Sequence, residues 1–377
     1  MKVALVCDWL INFGGAERVL LELHKMFPDA PIYTSKYDRK GIDWFKDAEV
    51  KTGYLQHFPK CTRKFIGPLR SRWFRKLDLR DYDLVISVTG AEAKGVSTTS
   101  GKKSEHKTEH ICFCHVPTQY YWGLYDQYMK DPGFGFLNPL ARLGLKIFVK
   151  PMRKRDLEAS KKPNYYITIS KYAKEEIKRF YEREATIIYP PVDTKTFLYK
   201  KSNKTENQQG NYFITTSRFV NWKRLDLAIA ACIKTNSKLI LIGEGPEEKK
   251  LKRLAKNNKN IIFLPKMDQK GLKKYLENAA AYLFPSQEPF GIAPVEALAA
   301  GCPVIAYKKG GAIDYIKDGE NGLFFDKQTV NSLSLAIEKF DKEKFSPEKI
   351  SATALPFDTE IFKTKMKEFI NEKIEHR

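Results

Sequence analysis

Twice along this chain, short apolar runs rich in β-branched and aromatic residues alternate with segments of helical periodicity. VALVC (3–7), LVISV (84–88), HICFC (110–114) and YYITI (165–169) mark the first series. YFITTS, KLILIG, NIIFLP, AYLFP and PVIAY, between residues 212 and 307, mark the second. Strands that alternate with helices build parallel sheets, because a parallel neighbour is reached only through a crossover. The intervening AERVLLELHKMF places Val19, Leu20, Leu23 and Phe27 on one helical face. Between the series lies KKSNKTENQQGN (200–211), which has no apolar periodicity and reads as a surface loop. The expected architecture is α/β, with two Rossmann-like doubly wound domains facing a central cleft. They cover residues 1–188 and 189–355, and an amphipathic C-terminal helix (356–377) packs back on the first. In such sheets ligands collect at the carboxyl ends of the strands.

Composition narrows the function classes. No stretch approaches the ~18 consecutive apolar residues of a membrane-spanning helix. Asp8 interrupts the apolar start MKVALVCDWL and no small-residue cleavage site follows. A first strand and a cytoplasmic protein are therefore expected. The six scattered cysteines suit reduced thiols. Cys112, Cys114 and His115 lie close together but lack a second Cys/His pair at ligand spacing, so no metal site is expected. The net charge of +21 asks for an anionic partner. Locally, residues 51–80 hold nine Lys or Arg against the single acid Asp78. Within 60–76, Phe65, Ile66, Leu69, Trp73 and Phe74 interleave with these cations, a pattern suited to an anionic membrane surface at the inner face of the cell membrane. A solvated, partly core-facing segment is the plain alternative. Nucleic acid is a further anionic candidate, but no recognised binding motif accompanies the charge.

The most informative segment is AYLFPSQEPFGIAPVEALAAGCPVIA (281–306). A strand ends near Pro285, Pro294 opens a helix where its missing N–H costs nothing, and Gly301 closes it. Free N–H groups from Gly291 to Val295, Ile292 and Ala293 included, then form a phosphate cradle at the positive end of the helix dipole. Glu288 sits on the loop and Glu296 in the first turn, two carboxylates placed to accept hydrogen bonds from sugar and ribose hydroxyls. A capping role for Glu296 lacks its Ser or Thr partner, because Ala293 occupies that position. In SRFVNWKRLDLAI (217–229), Arg218 follows a strand and Lys223 opens the next helix. Two cations there can hold a diphosphate and stabilise charge on it as leaving group.

Gly14-Gly15, at a strand-to-helix turn, lets backbone approach a ligand or simply makes the turn. GEGPEE (243–248) lacks the third glycine of a dinucleotide fingerprint. His115 ends the strand HICFC and can hydrogen-bond a sugar hydroxyl or assist proton movement. Asp81-Tyr82-Asp83 has the Asp-x-Asp spacing of metal-dependent sugar transferases, but it precedes its strand and so falls at the wrong end of the sheet.

Glu288 to Glu296 resembles the E-x7-E signature of retaining GT-B transferases, and Arg218 with Lys223 resembles their basic pair. With GGAERVL, YDLVISVTGAEAKGV, ICFCHVPTQYYW, ITISKYAKEEIKRFYEREATIIYPPVD and SRFVNWKRLDLAI, the chain is similar to glycosyltransferase family 4, most of all to O-antigen-type mannosyltransferases. The resemblance implies a nucleotide-sugar donor, GDP-mannose foremost, and a glycan or lipid-linked acceptor. It implies that Arg218 and Lys223 bind the diphosphate, Glu296 the ribose and Glu288 the transferred sugar. Amides near Gly291, Ile292 and Ala293 would help, His115 would contact the donor sugar, and Gly14 and Gly15 would lie near phosphate and acceptor. It further implies no metal cofactor and no protein nucleophile. A UDP-sugar transferase, a GT-B epimerase and a sugar phosphorylase are its neighbours in chemistry.

Overall fold

The computed structural model describes residues 1–59, 62, 66–98, 107–130, 132, 135–200 and 210–374. Lys60, Arg63, Lys64 and Phe65 of the basic patch lie outside the described residues, as do 201–209 of the polar loop and 375–377 of the last helix. The chain divides into two compact units, Met1–Pro190 with Lys363–Arg377, and Pro191–Phe362.

The first unit is built on seven parallel strands: β1 (Val3–Cys7), β2 (Ile32–Thr34), β3 (Val50–Lys51), β4 (Leu84–Thr89), β5 (Glu109–Cys114), β6 (Tyr165–Thr168) and β7 (Thr186–Ile187). Their spatial order is β3-β2-β1-β4-β5-β6-β7. Every residue of β1, β4 and β5 is buried, as a sheet covered on both faces requires. The helices are α1 (Gly15–Met26), α2 (Gly67–Lys76), α3 (Tyr125–Lys130), α4 (Asn138–Ser160) and α5 (Lys171–Tyr181). Ser170 caps α5 by accepting from the Ala173 N–H.

Among the described residues two ion pairs of this unit have both side chains buried. Arg70 donates to Glu92 at 2.6 Å, and Lys94 donates to Asp156 at 2.7 Å. Neither carboxylate relies on one partner: Tyr120 also donates to Glu92, while Thr118, Trp122 and Tyr181 donate to Asp156. Such extra bonds offset the desolvation of both charges. The 60–76 stretch is, in its described part, partly core-facing. Arg70, Ser71 and Phe74 of α2 are buried, because one side of this helix faces the core.

The second unit repeats the plan with β8 (Phe213–Thr216), β9 (Leu239–Ile242), β10 (Ile261–Leu264), β11 (Ala281–Phe284), β12 (Val304–Tyr307) and β13 (Gly322–Phe325). Their order is β10-β9-β8-β11-β12-β13, again all parallel. Around them run α6 (Thr194–Phe197), α7 (Leu225–Lys234), α8 (Glu248–Ala255), α9 (Gln269–Asn278), α10 (Ile292–Ala299), α11 (Val330–Lys339) and α12 (Pro347–Thr353). Leu225, Ala228 and Ile229 of α7 pack with Leu239, Leu241, Leu283 and Ile305 of the sheet in one apolar core. The last helix, α13 (Thr359–Ile374), carries Lys363, which pairs with Glu22 of α1, and Phe369, whose ring meets that of Tyr165.

Candidate donor site in the second unit

The strand order places β8 beside β11, so the connections after these two strands leave the sheet in opposite directions. That switch point opens a crevice at their carboxyl ends. An open hollow lies there. Thr215 and Thr216 line it from β8, Ser217 from just beyond that strand, and Pro285, Ser286 and Glu288 from the loop after β11. Lys223, Gly291, Ile292 and Ala293 complete the polar and backbone wall. Beneath them Tyr282 donates its hydroxyl to the Thr216 carbonyl at 2.9 Å, and burial pushes that phenol up to about 12.

At the centre is a charge pair. Lys223 Nζ donates to Glu288 Oε2 at 2.5 Å, and Ser286 Oγ donates to Glu288 Oε1 at 2.7 Å. Both charged side chains keep part of their surface exposed, 19% and 17%. Lys223 does not open a helix. It ends a 3-10 turn (Asn221–Lys223), and Arg224, at φ +53, then turns the chain into α7. Arg224 itself bonds Asp226 and Gln328, and Gln328 holds the Pro285 carbonyl, which ties this turn to the β11 loop.

The Glu288 loop is held from behind by a glycine pair absent from the sequence-based site. Gly311 N–H donates to the Glu288 carbonyl at 2.8 Å. A Cβ on Gly310, at φ +75, would stand 2.4 Å from that same oxygen. Gly291, at φ +96, is the N-cap of α10, and a Cβ there would meet the Phe284 ring at 2.7 Å. Only glycine accepts both the conformation and the approach. Helix α10 starts at Ile292, two residues before Pro294, so its first-turn amides border the hollow with the helix's positive end.

Not all the expected residues converge. Arg218 is exposed, and neither it nor Glu296 lines the hollow. With α10 beginning early, Glu296 falls beyond the first turn and is buried, at 5% exposure. GEGPEE supports the Arg218 segment instead of a dinucleotide: Phe219 N–H donates to the Glu244 carbonyl and Glu247 N–H to the Phe219 carbonyl.

His115, Gly14 and Gly15 belong to the first unit. His115 follows β5, its Nε2 is buried without a hydrogen-bond partner, and burial lowers its pKa to about 4, so the ring is neutral. Gly14 caps α1 with extended backbone, and a Cβ there would meet only the end of the Glu17 side chain. Burial raises the Cys114 thiol well above its usual range. Among the described residues, no group of three His, Cys, Asp or Glu could hold a metal. Asp83 lies before β4 and accepts from the Lys2 N–H.

Two Rossmann-like parallel sheets in one chain, the second with a helix N-terminus and a charge pair at its switch point, define the GT-B fold. Solved structures of this fold superpose along the whole chain. Sucrose-phosphate synthase from Thermosynechococcus elongatus matches with a TM-score of 0.73 at 16% identity, covering 100% of both chains. Anabaena HepE in complex with UDP matches with a TM-score of 0.69 at 18% identity, covering 99% of this chain and 100% of the other. Residues 199–355, which contain the charge pair and α10, match the family model of Glycosyl transferases group 1.

Sequence relatives agree. An uncharacterized glycosyltransferase of Methanocaldococcus jannaschii is 31% identical over 170 residues, 44% of this chain and 46% of the relative. The alpha-1,3/1,6-mannosyltransferase ALG2 of Homo sapiens is 27% identical over 218 residues, 46% of this chain and 52% of that protein. The chain thus spans about half the length of the curated relatives it matches.

Proposed function

We propose that this chain is a retaining glycosyltransferase that moves a hexosyl group, mannosyl from GDP-mannose, to a glycan or lipid-linked acceptor in cell-surface polysaccharide biosynthesis. The contact of Lys223 with Glu288 in the switch-point hollow carries the reading. In a nucleotide sugar the diphosphate and the hydroxylated ring meet at a single glycosidic oxygen. A site for both therefore needs a cation and a carboxylate at contact distance, the cation for phosphate and the carboxylate for hydroxyls. The α10 amides at Gly291, Ile292 and Ala293 add donors beside them. The match to the group 1 family supports sugar transfer, and the mannosyltransferase relatives support mannose.

In this assignment Arg218 turns from solvent onto the diphosphate, Glu296 takes the ribose, the neutral His115 contacts the donor sugar, and Gly14-Gly15 approaches phosphate and acceptor. The acceptor hydroxyl attacks the anomeric carbon on the face that the phosphate leaves. One sugar–oxygen bond forms as the sugar–phosphate bond breaks, and the departing phosphate oxygen takes the acceptor's proton. Lys223, Arg218 and the helix N-terminus stabilise the charge on the leaving diphosphate, the role a metal plays elsewhere. In the described part of 60–76 Arg70 and Phe74 are buried, while Leu69, Arg72, Arg75 and Lys76 are exposed and carry what that stretch offers an anionic membrane surface.

A second reading keeps the chemistry and changes the base: HepE was solved with UDP and with UDP-glucose, so a UDP-sugar is the rival donor. Thermal-shift titration with GDP and with UDP separates the two. Selective stabilisation by GDP is expected; selective stabilisation by UDP would replace GDP-mannose with a UDP-sugar. Donor turnover without acceptor, or dependence on free phosphate, would replace transfer by epimerisation or phosphorolysis.

A further inference from the structure

Helix α4 departs from the pattern of every helix that faces a core. Ala141, Val149, Met152 and Asp156 cover one side of it against the first unit. The opposite side should then be polar. Instead Leu140, Leu143, Ile147 and Phe148 are 68%, 55%, 59% and 55% exposed. At about 100° per residue these four span roughly 140° of the helix circumference, an apolar stripe over the first half of α4 that the exposed Lys154 ends. Arg142, Lys146 and Lys150, all exposed, follow one another at i, i+4 and i+8 along its edge. From Asn138 to Arg155 there are six Lys or Arg and no Asp or Glu.

We infer that α4 is a docking helix that lies in the surface of an anionic phospholipid bilayer. Its stripe enters the acyl boundary, and its cation row meets the lipid phosphates. Charge decides between occupants of the face. A second copy would bring the exposed Arg142, Lys146, Lys150 and Lys154 against the same four, a repulsive pairing. An anionic lipid surface attracts them, each contributing about 1 kcal/mol near the membrane. Among the described residues no helix is long and apolar enough to cross a bilayer, so the helix rests in the interface plane. This surface is distinct from the 60–76 stretch, and it stands whichever sugar the second unit binds.

Flotation of the full chain with vesicles tests the inference. Vesicles of equal parts phosphatidylglycerol and phosphatidylcholine should carry the chain upward, those of phosphatidylcholine alone should not, and added salt should weaken the association. Ile147→Glu with Phe148→Glu should reduce partition at least about tenfold, since two apolar side chains no longer leave water. Lys146→Gln with Lys150→Gln should reduce it about fivefold for each cation removed. The four side chains are exposed, so unchanged thermal unfolding is expected; should the apolar pair fail to fold, the lysine pair carries the test alone. Equal binding to neutral vesicles, or full binding by either variant pair, overturns the inference. So does a concentration-dependent dimer without flotation that Ile147→Glu abolishes, which would make a second copy the occupant.

Discussion

Gly310→Ala tests whether the loop bearing Glu288 is fixed by the glycines behind it. At φ +75 an alanine costs about 1–2 kcal/mol over glycine. Its Cβ would stand 2.4 Å from the Glu288 carbonyl oxygen and 3.2 Å from the Glu288 nitrogen. A carbon–oxygen contact normally sits near ~3.3 Å, so the loop backbone must retreat by about 0.9 Å. Such overpacking adds roughly 1–3 kcal/mol. The displaced carbonyl is the one that accepts from Gly311 N–H, and losing that bond adds about 1 kcal/mol. The sum, about 3–6 kcal/mol, lowers the melting temperature by on the order of 10 °C for a unit of this size. Thermal unfolding by circular dichroism measures it, and nucleotide-induced stabilisation should fall with it as Glu288 moves. Gly144→Ala is the control: nothing stands within 4 Å of its Cβ, and a helical alanine should leave the protein equal or slightly more stable. Melting of Gly310→Ala within about 2 °C of the unsubstituted chain would refute the reasoning.

Other outcomes follow from the same geometry. Glu288→Ala and Lys223→Ala should each abolish transfer while leaving the fold intact, because both side chains keep solvent contact; near-normal turnover in either displaces the site. Lys94→Met removes one partner of an ion pair whose side chains are 1% and 2% exposed, and should cost about 3–5 kcal/mol in urea unfolding. A loss below about 1 kcal/mol would show that Thr118, Trp122 and Tyr181 suffice to hold Asp156. Burial holds His110 at about 3 and His115 at about 4, against ~6.5 for an exposed histidine. Between those values and 6.5 the unfolded chain binds protons that the folded chain refuses, so stability rises with pH through this window and is lost on acidification. His110→Gln should flatten the profile, and an unfolding midpoint that climbs from pH 6.5 to 5 has the wrong sign.

Local residues carried their meaning unevenly into the site. Glu288, Lys223 and Gly291 could be named from the sequence because strand, loop and helix signals bracket them within a few positions. Gly310 and Gly311 could not: their partner is a carbonyl some twenty residues upstream, and KKGGAI alone reads as an ordinary turn. Ser286, two residues before Glu288, shows its role only once the loop folds back and its hydroxyl reaches the carboxylate. Glu296 could be placed on α10 from the sequence, but not its depth: the helix begins two residues before Pro294, and the side chain is buried beside the hollow instead of lining it.

By itself the sequence determined the class of structure. Hydrophobic period, strand length and the order of elements are local properties, and two successive βαβ series with parallel crossovers leave few topologies open. Tertiary structure alone decided which charges meet, which are buried and which face is left uncovered. Arg70 reads as one more cation in a basic run, yet it is sealed against Glu92, while Leu140 and Leu143 of α4 lie in solvent. Burial depends on what packs from distant parts of the chain, and no window along the sequence contains that partner.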